Sequence, residues 1–131
     1  MVARSRPASL ERVLAVLAGG LVGSAARLGV EAALGWEPGG WPVATLAVNV
    51  VGAGVLGWYL ARRARSASPW WSLGFWAIGV LGSFTTFSAL GVEAVALLEA
   101  GRVVAAGCYV VVSALAGLVV AGVGYRLGEG R

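Results

Sequence analysis

Few side chains in this sequence can do polar chemistry, and most of those lie inside long apolar stretches. Asn49 is the only Asn or Gln in the chain and sits midway along one such stretch. Its amide has two possible uses: glue between helices, worth about 0.6–2 kcal/mol, or N–H groups facing a polar pathway. The segment Gly79-Val80-Leu81-Gly82-Ser83-Phe84-Thr85-Thr86-Phe87-Ser88 puts two Gly and two adjacent Thr near the middle of another stretch. Gly is a weak helix former, and Thr hydroxyls compete for backbone groups. The segment therefore predicts a broken helix. Such a break exposes carbonyls, which a bilayer tolerates only if something satisfies them. Two readings stay open: a kink of small residues for close packing, or carbonyls coordinating a buried monovalent cation. Tyr109, Ser113, Gly117, Ala121 and Tyr125 recur at i+4, which predicts one shared helical face. That face serves either as a rail of hydroxyl donors beside a pore or as a packing surface whose Ser bonds its own helix. Arg27 and Glu93 are charges within apolar stretches, where lone charges are costly. They fit a water-filled vestibule holding both, or a structural ion pair.

The elements that must position these groups are long helices. Spanning the hydrocarbon core takes about 20 mostly apolar residues. Four stretches qualify: about Val13 to Leu34, Trp41 to Ala61, Trp70 to Leu98 and Val103 to Tyr125. The connections between them are short, which predicts an up-down chain of helical hairpins. The expected fold is a single all-α integral membrane domain over residues 1–131, with four transmembrane helices and the third broken near its centre. Trp36, Trp41, Trp58, Tyr59, Trp70, Trp71 and Tyr125 fall near the predicted ends, where aromatic belts form.

Composition agrees. Apolar residues make up 59% of the 131 positions and charged residues only 12%, too little polar surface for a small water-soluble monomer. Intrinsic disorder is excluded by the same apolar content. The first stretch has the layout of a signal peptide, but three further spans follow it and Arg27 comes at once, so a retained helix is the simpler reading. With no His and one Cys (Cys108), the chain can build neither a His-based triad nor a thiolate metal site. No nucleophile–base pair or phosphate loop is present, so no enzyme is expected. The net charge of +4 comes from Arg at segment ends, which points to lipid and topology rather than nucleic acid. With a cytoplasmic N-terminus, Arg4, Arg6, Arg12, Arg62, Arg63, Arg65, Arg126 and Arg131 lie inside and only Arg102 outside. By the positive-inside rule both termini are expected in the cytoplasm, with the chain in the cell (inner) membrane.

Taken together, these residues resemble the fluoride channel family, the Fluc or CrcB proteins. Gly19-Gly20-Leu21-Val22-Gly23-Ser24-Ala25-Ala26-Arg27 is similar to the family's first-helix pattern. Thr45-Leu46-Ala47-Val48-Asn49-Val50-Val51-Gly52 is similar to its second-helix signature. Gly82-Ser83-Phe84-Thr85-Thr86-Phe87-Ser88 resembles its third-helix break, with Glu93 at the matching distance. Tyr109 and Ser113 fit the fourth helix, so the resemblance covers all four spans.

The resemblance implies subunits that pair antiparallel into a dimer with two narrow fluoride pores. It implies a structural, non-transported sodium ion (Na+) held by the backbone carbonyls of Gly82 and Thr85. Asn49, Phe87, Ser88, Tyr109 and Ser113 fall on pore-lining positions, and Arg27, Thr45 and Glu93 near the vestibule. The implied role is passive fluoride export that relieves toxicity. Amide and hydroxyl donors can replace water lost by a strongly hydrated anion, and aromatic ring edges carry positive quadrupole. Two features depart from the pattern. Leu90 stands where a second Phe is common, and Ala89 where a Thr usually precedes it. The Arg bias favours one orientation, so the dimer partner is either the same chain or an inverted homologous subunit. A small multidrug-type proton antiporter is the alternative and would need Glu93 as its titrating carboxylate, since Glu31 lies near its span's end. A non-conducting assembly subunit is a further alternative.

Overall fold

The computed structural model describes residues 9–130; Arg4, Arg6 and Arg131 lie outside them. The four apolar stretches fold as helices. The first is α1 (Ser9–Leu34) and the second α2 (Val43–Ala64). The third span, Trp70–Glu99, is two helices: α3 over residues 70–84 and α4 (Phe87–Glu99). The last is α5 (Val103–Glu129). All four spans are long and apolar enough to cross a membrane. α1 ends at Gly35, whose positive φ of 63° suits a residue without Cβ. Gly101, at φ 73°, does the same after α4.

Within α3, residues Leu73–Leu81 are wound as a π-helix with i→i+5 bonds, so the Gly82 N–H reaches the Ala77 carbonyl. Wide turns of this kind are rare, and nothing in the sequence foretold one here. The helix then stops. Thr85 is extended at φ −79°, ψ 154°, and Thr86 at φ −146°, ψ 127°. Thr86 caps α4, its Oγ1 accepting the Ala89 N–H at 3.2 Å.

Short loops predict that consecutive helices pack as antiparallel neighbours. The tightest packing instead joins parallel helices, α1 to α3 and α2 to α5. Glycine explains the choice. Gly19 lies against the Phe75 carbonyl, Gly23 against that of Val80, and Gly79 against that of Val16. Gly57 likewise meets the Ala121 carbonyl, and Gly124 that of Gly54. No Cβ fits at these points. Helices associate in lipid by such close backbone approach, because burial of apolar side chains supplies little drive there. The side-chain core is correspondingly small: Leu97, Ala106 and Tyr109, packed against Leu46, Leu90 and Ala94. Most large apolar side chains point outward.

The i+4 series on α5 drifts off its face. Successive residues turn by about 100°, so four steps of four rotate Tyr125 far from Tyr109. Tyr109 and Ser113 are buried, whereas Tyr125 is exposed and Gly124 takes the inner position. Among the described residues, Arg12, Arg62, Arg63, Arg65 and Arg126 gather at one end of the four alternating spans, and Arg102 at the other.

Candidate functional site

The break in the third span is held by Asn49 of α2. Its Nδ2 donates to the Thr86 carbonyl at 2.9 Å, and its Oδ1 accepts the Thr86 N–H at 2.8 Å. In an unbroken helix that N–H would bond the Gly82 carbonyl, so the amide of Asn49 takes the place of a turn of backbone. Gly52, one turn along α2, lets Thr85 approach; a Cβ there would collide with Thr85 Cγ2. The Leu81 carbonyl accepts both the Thr85 N–H, at 3.1 Å, and Thr85 Oγ1, at 2.9 Å. The Ser83 carbonyl accepts from Arg27 Nε at 3.3 Å. The break thus sets the carbonyl end of α3 beside the N–H end of α4. The first end favours a cation and the second an anion.

A groove of about 290 Å³ opens beside the N-terminus of α4. Asn49, Thr85, Phe87, Leu90 and Ser113 are among the residues that line it. Phe87 is 85% exposed at its edge. Ser113 is buried, and its Oγ makes no hydrogen bond. Buried hydroxyls are ordinarily paired, and a helical Ser can bond its own backbone. This one does neither and stands at the groove wall.

A second cavity, of about 390 Å³, gathers Arg27, Glu31, Trp36, Thr45 and Glu93 among its lining residues. Glu93 is buried, and both its carboxyl oxygens are engaged. Oε1 accepts from Thr45 Oγ1 at 2.6 Å and Oε2 from the Tyr109 hydroxyl at 2.6 Å. Trp41 stacks edge-on against Tyr109, at 5.9 Å between ring centroids and 71° between planes. Arg27 does not pair with Glu93. Its Nη1 meets Glu31 Oε1 at 2.9 Å, one helical turn away.

The fold therefore brings Asn49, Phe87, Ser113 and Thr85 to one groove, and Arg27, Thr45 and Glu93 to one cavity. Tyr109 belongs to the Glu93 cluster and does not line the groove. Ser88 Oγ lies 3.2 Å from Thr86 Oγ1 but lines a separate surface hollow with Gly91, Val92 and Glu99. Gly82 is exposed on the last turn of α3. Sequence reasoning passed over Glu31 as the partner of Arg27, although i+4 spacing is the ordinary signal for such a pair. It also passed over Thr86 as the partner of Asn49, for which no local signal exists.

The family described as CrcB-like protein, Camphor Resistance (CrcB) matches residues 14–125. A fluoride-specific ion channel FluC of Thermus thermophilus is 42% identical over 123 residues, covering 91% of this chain and 94% of the relative. One from Hyphomonas neptunium is 43% identical over 109 residues, covering 80% and 85%. One from Oceanobacillus iheyensis is 35% identical over 120 residues, covering 90% and 92%. Each of these relatives is named an ion channel. With four membrane-spanning helices and likeness along nearly its whole length, the chain belongs to the CrcB family of fluoride-specific ion channels.

Proposed function

We propose that this chain forms a fluoride-selective channel that passively exports fluoride across the cell membrane. The unpartnered Ser113 hydroxyl carries the reading, set in the groove wall beside the N-terminus of α4. A buried donor without a partner is costly, and a small anion accepting from it removes that cost. One Asn49 N–H stays free after the Thr86 bond, and the α4 N-terminus adds positive potential. Such donors replace water around fluoride, with conduction needing only moderate binding at several points. The Arg27 cavity is the vestibule in this reading. Thr45 and Tyr109 orient Glu93 at its wall, Ser88 lies further along the path, and the exposed Phe87 offers its ring edge to the anion.

The freed carbonyls of Gly82 and Thr85 suit a sodium ion, which would neutralise the carbonyl end of α3. Donors of this type are hard oxygens, and the Thr86 N–H that would cover the Gly82 carbonyl is turned to Asn49. Gly82 and Phe87 lie at the surface of a single subunit. That exposure supports an antiparallel dimer in which a second subunit covers them. The Arg bias supports cytoplasmic termini and one-way insertion, and hence an inverted homologous partner. Equal populations of both orientations, read by tag accessibility, would leave the homodimer instead.

The deciding experiment is fluoride efflux from proteoliposomes holding this chain alone, read with a fluoride electrode against a chloride control. Fast fluoride-selective efflux, without proton coupling, is the expected result. Proton-coupled export of organic cations, abolished by Glu93→Gln, would overturn it in favour of an antiporter. Absence of flux, both alone and beside a co-expressed inverted homologue, would also overturn it.

A further inference from the structure

At the Arg-rich end, away from the break, α1 and α3 enclose a second groove of about 290 Å³. Arg12, Trp70 and Trp71 line it toward the helix ends, and Val16, Gly74 and Ile78 line it further along the helices. Both indoles are about half exposed. Trp at this depth marks the membrane–water interface. From Trp70 to Ile78 the groove follows α3 for roughly 10 Å, less than the ~1.5 Å per residue of an α-helix would give because Leu73–Leu81 is π-wound, about two thirds of one leaflet of a ~30 Å hydrocarbon core. A cation at headgroup depth above an aliphatic trough is the complement of an anionic amphiphile.

The surrounding charge agrees. Arg63 Nη1 donates to the Ser72 hydroxyl and, at 3.5 Å, to the Pro69 carbonyl. Its cation is thereby held at the first turn of α3, at the same end of the fold as the groove. Arg62 lies over the Trp58 ring at 5.8 Å, and Arg65 follows as the C-cap of α2. The acids described at this end are Glu11, next to Arg12, and Glu129, so the balance is basic. At Gly74 a Cβ would make only ordinary contact with Val16 Cγ2, at 3.4 Å, so a longer side chain is needed to fill the trough.

We propose that this groove binds one anionic phospholipid, its headgroup phosphate on Arg12 between the indoles and one acyl chain along Val16, Gly74 and Ile78. Basic pockets between transmembrane helices are the usual form of such sites. The bound lipid would fasten α1 to the start of α3, where the helix is π-wound.

The test is lipid retention. The full chain is reconstituted in equal phosphatidylglycerol and phosphatidylcholine, extracted in mild detergent and weighed by native mass spectrometry. Phosphatidylglycerol should stay on the protein in preference to phosphatidylcholine. Arg12→Gln should weaken its retention about fivefold, the effect of one Arg near the surface, and Gly74→Leu should do likewise by filling the trough. Arg126→Gln, at the same end but outside the groove, should leave retention unchanged. Millimolar inorganic phosphate should not displace the lipid, because the acyl chain is part of the recognition. Equal retention of the two lipids would overturn the site, as would equal effects of the Arg12 and Arg126 changes, or displacement by phosphate. Fluoride flux plays no part in the readout, so the site and the channel reading fail separately.

Discussion

Asn49 pairs with Thr86 as one strand residue pairs with another, giving a donor to its carbonyl and an acceptor to its N–H. A single side chain on α2 thereby satisfies both backbone groups at the break of the neighbouring span. Asn49→Ala leaves both unpaired, at about 1–3 kcal/mol each. Thermal melting in detergent should drop accordingly, and flux should vanish. Asn49→Asp keeps the acceptor but sets a carboxylate oxygen against the Thr86 carbonyl. It should be no better than Ala, and a wild-type melting point for Asp would contradict the two-bond account.

Ser113 should separate stability from conduction. Its Oγ has no protein partner, so Ser113→Ala loses no internal bond and melting should hold or rise. If the hydroxyl serves a passing anion, efflux should fall about tenfold or more, as for a lost hydrogen bond to a charged group. Unchanged efflux would remove Ser113 from the path.

Thr45, Glu93 and Tyr109 form one buried cluster. Thr45→Val and Tyr109→Phe each remove one donor and should cost about 1.5–3 kcal/mol, the worth of a bond to a charged group. The double variant should depart from additivity, since both donors serve one carboxyl. Simple additivity in chemical or thermal unfolding would mean the two act independently.

Glycines on the two helix seams should respond oppositely to those facing outward. Gly→Ala inside a helix gains about 1 kcal/mol in propensity. Gly117 has open space around its missing Cβ, so Gly117→Ala should stabilise. At Gly124 the Cβ would run into the Gly54 carbonyl, and the clash outweighs the gain. Gly124→Ala should lower the yield of monodisperse protein on size exclusion.

Sodium should matter to assembly if the carbonyls of Gly82 and Thr85 hold it. Replacing sodium by a bulky organic cation throughout purification should lower the melting temperature, with recovery on returning sodium. No difference between the two buffers would remove the ion from that place.

How much of this was legible in the sequence depends on the range of each interaction. Span number and approximate limits follow from local hydropathy, and the structure has four such helices. The break was readable because Gly82, Thr85 and Thr86 carry it locally. Asn49 was singled out by type alone; its partner lies 37 positions away, beyond any periodicity. The Glu93 cluster joins residues 48 and 16 positions apart, so its members could be named but not connected. The Arg27–Glu31 pair, one turn apart near the C-terminal end of α1, was within reach of its i+4 spacing. Placing Tyr125 with Tyr109 was an error of period, since i+4 steps accumulate rotation that the 3.6-residue helix does not forgive. The π-winding of Leu73–Leu81 left no mark in residue types.

The parallel packing of alternate helices has a consequence for synthesis. Arg27 reaches Ser83 across 56 positions of chain, so the glycine seam of the first helix has no mate when that helix enters the bilayer. At about 5–20 residues per second, it waits roughly 3–11 seconds for the third span to emerge. The second helix then waits a similar time for the last. Neither seam can close in order of appearance. The nascent chain therefore inserts with unmatched glycine faces open to lipid or to an insertion chaperone, the first until the third span emerges and the second until the final helix leaves the ribosome.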